Sequence, residues 1–229
     1  MSSIPLNLQA VRQRIEIATR AAGRPAHSVL LVAVSKSFSS AVVREAASAG
    51  QRDFGENYLQ EGLEKIRELG ALGLTWHYIG PIQSNKTGAI AEQFDWVHTI
   101  ERGKIAARLS EARGSARTEL QVCIQVNVSG EASKSGVAPE EVAGLARQVT
   151  GMPRLKLRGL MAIPEPSSDE RLQRVRFAQL RGLRDGLNRE GFVMDTLSMG
   201  MSADLEAAIA EGATMVRVGT AIFGERTAT

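Results

Sequence analysis

Short apolar runs and longer amphipathic stretches alternate along this chain. Val29 to Val34 is an unbroken apolar run, the pattern of a strand buried on both faces, and it ends abruptly in Ser35-Lys36. Ahead of it, Asn7 to Ala22 carries Leu8, Val11, Ile15 and Ala18 at helical spacing and breaks at Gly23 and Pro25, which predicts an amphipathic helix before the first strand. Behind it the two patterns keep taking turns. Strands are predicted at Asp53 to Asn57, Thr75 to Gly80, Trp96 to Ile100, Leu120 to Val128, Leu155 to Ile163, Thr196 to Met199 and Met215 to Phe223. Helices are predicted at Ser39 to Ser48, Leu59 to Leu69, Asn85 to Gln93, after the Trp96 to Ile100 strand as far as Ala112, after Pro139, at Ser168 to Arg189 and at Ala203 to Ala210.

Eight strand–helix units with short connections and no compositional break specify an α/β protein in which a single domain spans residues 1–229 as a closed (β/α)8 barrel. The chain stops soon after the eighth strand, so the outer place of an eighth helix is expected to be filled by the amino-terminal one. An open doubly wound sheet is the alternative, and it would want a glycine-rich first turn, which Ser35-Lys36-Ser37-Phe38 is not.

Composition narrows the class without naming a function. The 229 residues are 43% apolar and 23% charged, and 28 Lys+Arg against 25 Asp+Glu leave a net charge of only +3. The bases are scattered and aromatics make up 4%, which disfavours a nucleic-acid surface. A lone cysteine, Cys123, rules out an internal disulfide and reads as buried filler between Val122 and Ile124. Residues 1–5 lack the charged and apolar regions of a signal peptide, and no run is long enough to span a bilayer. A soluble cytoplasmic protein is expected.

In such barrels chemistry collects at the carboxyl ends of the strands. Two of those junctions carry most of the information: Ser198-Met199-Gly200-Met201-Ser202 and Arg217-Val218-Gly219-Thr220. Gly200 permits a tight turn, Ser202 falls where a helix N-cap belongs, and Gly219-Thr220 adds a second glycine and hydroxyl, together the usual phosphate cradle after strands seven and eight. In a closed ring Lys36 on strand one lies beside strand eight. A ligand with a phosphate at one end and an aldehyde at the other would bridge cradle and amine, and pyridoxal 5′-phosphate has that form. Arg217, two residues before Gly219, would face the barrel interior and meet the pyridine nitrogen as a donor. A cation there disfavours ring protonation and weakens the electron sink that carbanion chemistry uses.

The segments Leu31-Val32-Ala33-Val34-Ser35-Lys36, Phe54-Gly55-Glu56-Asn57-Tyr58, Trp76 to Lys86, Ser133-Lys134-Ser135-Gly136, Leu197 to Ser202 and Arg217 to Gly224 strongly resemble the pyridoxal phosphate homeostasis protein family, over about residues 6 to 226. Those proteins resemble the barrel domain of bacterial alanine racemase without its carboxy-terminal β domain. The resemblance implies a carrier that holds pyridoxal phosphate as a lysine Schiff base, buffers the vitamin and supplies it to other enzymes without established turnover. It matches Lys36 to the Schiff-base lysine, Arg217 to the pyridine-side arginine, Ser202, Gly219 and Thr220 to the phosphate ligands and Asn57 to an asparagine near the ring. The implied partners are pyridoxal phosphate and, transiently, apo forms of enzymes that use it, with no nucleic acid, no membrane and a monomeric state. One departure is local: Ser37-Phe38-Ser39 stands where members often have Thr, a basic or apolar residue and Pro, which leaves the loop beside the cofactor open.

The remaining candidates have plainer readings. Met199 and Met201 are adaptable packing residues, with Met199 expected to pad the cofactor's face. His77 falls inside strand three and reads as a hydrogen-bonded core histidine. Asn85-Lys86 reads as a helix start and a solvated charge. Lys134, in the polar stretch Ser129 to Gly136, reads as a surface lysine, with a phosphate contact or a lid role as the sharper alternative. Arg171, Arg174, Arg176, Arg181 and Arg184 form a solvated stripe, a docking surface being the alternative. No catalytic residue and no metal ligand is expected. Two enzymatic readings compete: an amino-acid racemase, which needs a base on each face of the cofactor, and a Schiff-base aldolase acting on a sugar phosphate. Tyr58 and Tyr78 are the only tyrosines, and neither occupies a clear strand-end position.

Overall fold

The computed structural model describes residues 3–130 and 135–225. Eight parallel strands close in sequence order: β1 (Leu30–Val34), β2 (Asp53–Glu56), β3 (Thr75–Tyr78), β4 (Trp96–Ile100), β5 (Leu120–Gln125), β6 (Leu155–Met161), β7 (Thr196–Ser198) and β8 (Met215–Val218). Closure is made by β8 against β1, with Leu31 opposite Val216 and Val32 opposite Arg217. The helices are α1 (Ile4–Ala21), α2 (Ser40–Ser48), α3 (Leu59–Leu69), α4 (Thr87–Gln93), α5 (Gly103–Ala112), α6 (Val142–Thr150), α7 (Glu170–Arg189), α8 (Leu205–Ala210) and α9 (Thr220–Phe223).

Strand alternation sorts side chains into two cores. Leu31, Phe54, Val97, Ile124, Leu197 and Val216 point outward into the apolar layer under the helices. Val32, Trp96, Cys123, Met161 and Met215 form a smaller cluster inside the barrel. Gly159 belongs to the crowded wall between β6 and β7, where an added Cβ would lie 1.8 Å from the Thr196 carbonyl oxygen.

The amino-terminal helix fills the eighth outer place, as expected. Its Asn7 side chain donates to the Ile222 carbonyl on α9 (2.9 Å), Arg14 pairs with Glu206 on α8 (2.8 Å), and Arg12 donates to the Ala49 carbonyl at the end of α2 (3.1 Å). Several predicted ends shift. β8 stops at Val218 instead of running to Phe223, because the Gly219 carbonyl accepts the N–H groups of Ile222 and Phe223 and the chain coils into α9. β5 stops at Gln125 rather than Val128. There the chain leaves the ring and returns at Val137, whose N–H donates to the Gln125 carbonyl and whose carbonyl accepts from Asn127. Ser202 is not an N-cap: α8 begins at Leu205, with Asp204 ahead of it, so Ser202 lies in the turn before the helix. α7 starts at Glu170 rather than Ser168, capped by Asp169, whose side chain accepts the Arg171 N–H.

The arginine stripe on α7 is largely spent within the molecule. Arg174 and Arg181 both pair with Glu211, and Arg176 pairs with Glu165. No helix among the described residues is long and apolar enough to cross a membrane.

Candidate functional site

Lys36 sits in the turn that leaves β1, half-buried. That turn is clamped by α3. The Lys65 ammonium donates to the Ser35 carbonyl (2.8 Å) and to Glu56 Oε1 (2.7 Å), and the Ser35 hydroxyl donates to the same carboxylate oxygen (2.6 Å). Lys65, Glu56 and Ser35 are all buried. Burial pushes the Glu56 carboxyl above its ordinary value, and the Lys65 charge and hydrogen bond pull against it. One residue after Lys36 the backbone enters the left-handed region, at Ser37 (φ 66°), whose N–H donates to Glu61 (2.8 Å). Phe38 then lays its ring against Phe223 of α9, centroids 5.1 Å apart. The residues that depart from the family pattern thus tie the lysine turn to the end of the chain that follows β8.

Arg217 lies inside the barrel mouth, 3% exposed. Its side chain donates to the Ser198 hydroxyl (2.6 Å) and to the Ala162 carbonyl (2.9 Å), and its backbone N–H donates to the Gly200 carbonyl (2.9 Å). Burial lowers the guanidinium pKa to about 10, so the group stays a cation and a donor at neutral pH; Asp204 attracts it. Asp204 accepts the Met201 N–H (2.6 Å) and so shapes the turn holding Ser202, whose carbonyl accepts from Arg14 of α1 (3.1 Å). Gly200 is in the left-handed region (φ 95°), and a Cβ there would press to 2.6 Å on Ala208. Gly219 stands at the start of α9 against Val34, where a Cβ would meet the Val34 carbonyl oxygen at 3.2 Å. Thr220, the first residue of α9, is exposed.

Asn57 follows β2 on the same rim. Its Oδ1 is buried without a hydrogen-bond partner, an orphaned acceptor beside the mouth. The structure therefore brings together the segments bearing Lys36, Asn57, Ser202, Arg217, Gly219 and Thr220 at the carboxyl ends of β1, β2, β7 and β8. Met199 does not join them. Its side chain is fully buried in the outer core, away from the barrel interior, because β7 alternation turns Ser198 inward and Met199 out. Lys134 lies outside the described residues. Cys123 is buried, and burial pushes its thiol up to about 12, so it is not a nucleophile.

Sequence reasoning missed two residues. Lys65 was hidden among the charges of an amphipathic helix, yet it shares the buried face of α3 with Gly62 and Leu69. His98 lies inside β4, fully buried, and burial with the neighbouring His77 and Arg217 holds its pKa well below 6.5. His98 Nε2 lies 2.9 Å from His77 Nδ1, and His98 Nδ1 lies 2.8 Å from the Ser198 hydroxyl oxygen. A depressed histidine pKa makes stability fall as pH drops below about 6.5, where the unfolded chain takes up a proton that folded His98 refuses. Urea unfolding should therefore show a loss of up to about 1.4 kcal/mol per pH unit from this group below that point. In His98→Asn that part of the slope should vanish.

A closed parallel barrel with an amine, a buried guanidinium and two close-packed glycine turns on one rim is a barrel of the alanine racemase type, and the family model described as alanine racemase, N-terminal domain, matches residues 6–227. Within that class the chain belongs to the pyridoxal phosphate homeostasis protein family. It is 60% identical over 226 residues to the protein of that name from Pseudomonas aeruginosa, covering 99% of this chain and 97% of that one. It is 51% identical over 229 residues to the namesake from Escherichia coli K12, covering 99% and 98%. Among solved structures, PipY of Synechococcus elongatus PCC7942 with PLP bound superposes with a TM-score of 0.85 at 36% identity, covering 96% of this chain and 100% of that one. Alanine racemase from Corynebacterium glutamicum shares the fold alone: TM-score 0.66, 18% identity, 94% of this chain and 60% of that one.

Proposed function

We propose that this protein holds pyridoxal 5′-phosphate at the barrel mouth through a Schiff-base linkage to Lys36, and serves to buffer and deliver it within the cytoplasm without catalytic turnover of its own. The observation that carries the reading is the convergence of the Lys36 turn, the Arg217 guanidinium and the Gly200 and Gly219 turns on one rim. The residues also fit the molecule chemically: Asn57 presents an unpartnered acceptor, and the two glycines keep the backbone open where a side chain would crowd it. The relatives named above carry the name of a homeostasis protein, and PipY is described with PLP bound.

In this reading Lys36 supplies the amine, Arg217 donates to the pyridine nitrogen, Asn57 sits beside the ring, and Ser202, Gly219 and Thr220 take the phosphate. When bound, pyridoxal phosphate supplies an aldehyde carbon for an amine and a ring that can accept electron density. Arg217 keeps that ring unprotonated, since a guanidinium has no proton to lose at neutral pH and nothing with which to accept one. Arg217→Glu should favour ring protonation and shift the absorption band of the loaded protein; a band identical to the wild type would remove Arg217 from the site.

Among the described residues neither tyrosine is placed to serve as the second base a racemase needs. Tyr78 faces the outer core, donating to the Pro81 carbonyl (3.1 Å) and edge-on to Phe94, while Tyr58 is solvent-exposed. Incubation with L-alanine and added cofactor should leave the enantiomer unchanged; accumulation of D-alanine would reinstate that reading.

A further inference from the structure

A line of buried polar side chains crosses the barrel interior from floor to mouth. Asp53 opens β2 at the floor, and its Oδ1 lies 3.0 Å from His77 Nε2. His77 Nδ1 contacts His98 Nε2 at 2.9 Å, His98 Nδ1 contacts Ser198 Oγ at 2.8 Å, and Ser198 Oγ accepts from Arg217 Nη1 at 2.6 Å. His77, His98 and Ser198 have no solvent exposure, and Arg217 has 3%. They come from β2, β3, β4, β7 and β8, so the line spans the barrel instead of following one strand.

We propose that Asp53, His77, His98 and Ser198 form a single hydrogen-bond chain of fixed direction whose task is to hold the Arg217 guanidinium in its pose at the pyridine nitrogen. They are positioning residues, and the assignment rests on the function proposed above.

The two ends dictate the direction. A guanidinium can only donate and a carboxylate can only accept. Arg217 therefore donates to Ser198, the Ser198 hydroxyl donates to His98 Nδ1, His98 Nε2–H donates to His77 Nδ1, and His77 Nε2–H donates to Asp53. Every contact then holds one proton and one lone pair, with both imidazoles neutral and both carrying hydrogen on Nε2. The rival arrangement makes His77 an imidazolium that donates both to Asp53 and to His98. His98 would then have to donate from Nδ1 to Ser198, and the Ser198 hydroxyl proton would lose its only acceptor among the described residues. That arrangement also places a second cation in the interior that already holds Arg217, with Asp53, itself partly exposed at the floor, as its sole anion. Among the described residues the other titratable groups around this interior are His98, Cys123, Arg217 and, at the floor, Arg158, which lies over the Trp96 ring with its charge met by Asp195; Cys123 stays a neutral thiol. The neutral chain strands no proton and adds no charge.

Long-range proton–nitrogen NMR correlation on the 15N-labelled protein tests the chain, read first without cofactor. The sequence has only three histidines, His27, His77 and His98, so single His→Gln variants assign them. The expected result is hydrogen on Nε2 of both His77 and His98 near neutral pH. Hydrogen on Nδ1 of either ring, or a doubly protonated His77, would overturn the chain. A second arm reads the loaded protein. His98→Leu should keep borohydride fixation on Lys36 yet displace the cofactor absorption band in the direction seen for Arg217→Ala, with His98→Gln closer to wild type. A His98→Leu band that coincides with wild type while Arg217→Ala shifts it would overturn the positioning role. If no variant folds, the wild-type tautomers alone still decide. Failure of Lys36 to take the cofactor at all would sink the proposed function and leave the tautomer result standing by itself.

Discussion

Lys36→Ala is expected to abolish the absorption band near ~420 nm that a lysine-linked pyridoxal group gives, and with it any borohydride-fixed adduct. Lys36→Arg should do the same, because a guanidinium keeps the charge but has no free electron pair to offer a carbonyl carbon. Neither change should unfold the barrel. Lys36 is half-buried in a turn whose shape is set by the Lys65 and Glu61 bonds to its neighbours, so an effect on stability below about 1 kcal/mol is expected. Spectrophotometric titration with pyridoxal phosphate beside thermal unfolding checks both halves. A full-strength band in a folded Lys36→Ala protein would move the amine elsewhere.

Lys65→Ala should cost the fold the most of any single charge change near the site. It would leave the Glu56 carboxylate, fully buried, with only the Ser35 hydroxyl as partner, and would leave the Ser35 carbonyl with the Phe38 N–H alone. Removing one member of a buried ion pair typically costs about 3–5 kcal/mol. The loss should depend on pH. Burial already raises the Glu56 pKa, and a folded-state carboxyl pKa above the unfolded value gives stability that is present at low pH and lost as pH rises through it. Without Lys65 that trend steepens, so urea unfolding should find a larger deficit at pH 8 than at pH 5. Lys65→Met combined with Glu56→Gln should recover much of the loss, since the uncompensated charge is gone; additive single costs would mean that the pair is not coupled.

Each residue leaves its own kind of signal in the sequence. Barrel closure and the slot for α1 could be read because apolar runs at strand length alternate with helical spacing from Val29 to Val218. The ends were harder. Ala221-Ile222-Phe223 looks like strand by composition, and only the Gly219 carbonyl accepting two N–H groups turns it into α9. Ser202 resembled a cap because serine before an apolar stretch usually is one, whereas Asp204 closes that turn by bonding the Met201 N–H. The placing of Lys36, Arg217 and Gly219 on the rim could be read because each lies at or next to the end of a strand-length apolar run. Met199 misled because a methionine carries no mark of which way it faces; one residue of strand register sends it outward. Lys65 and His98 act inside elements, where a polar residue reads as surface or filler until its partners are seen. His98 had a trace all the same: polar side chains at the inward positions of β3, β4, β7 and β8 break the apolar pattern of the barrel interior.

The most direct measurement is reduction of the pyridoxal phosphate-loaded protein with borohydride, followed by proteolysis and mass mapping of the pyridoxyl-bearing peptide. A single stable label on the peptide containing Lys36 is the predicted result. A label confined to Lys65, Lys86 or any other lysine, or no covalent label on a protein that binds the molecule, would contradict the account.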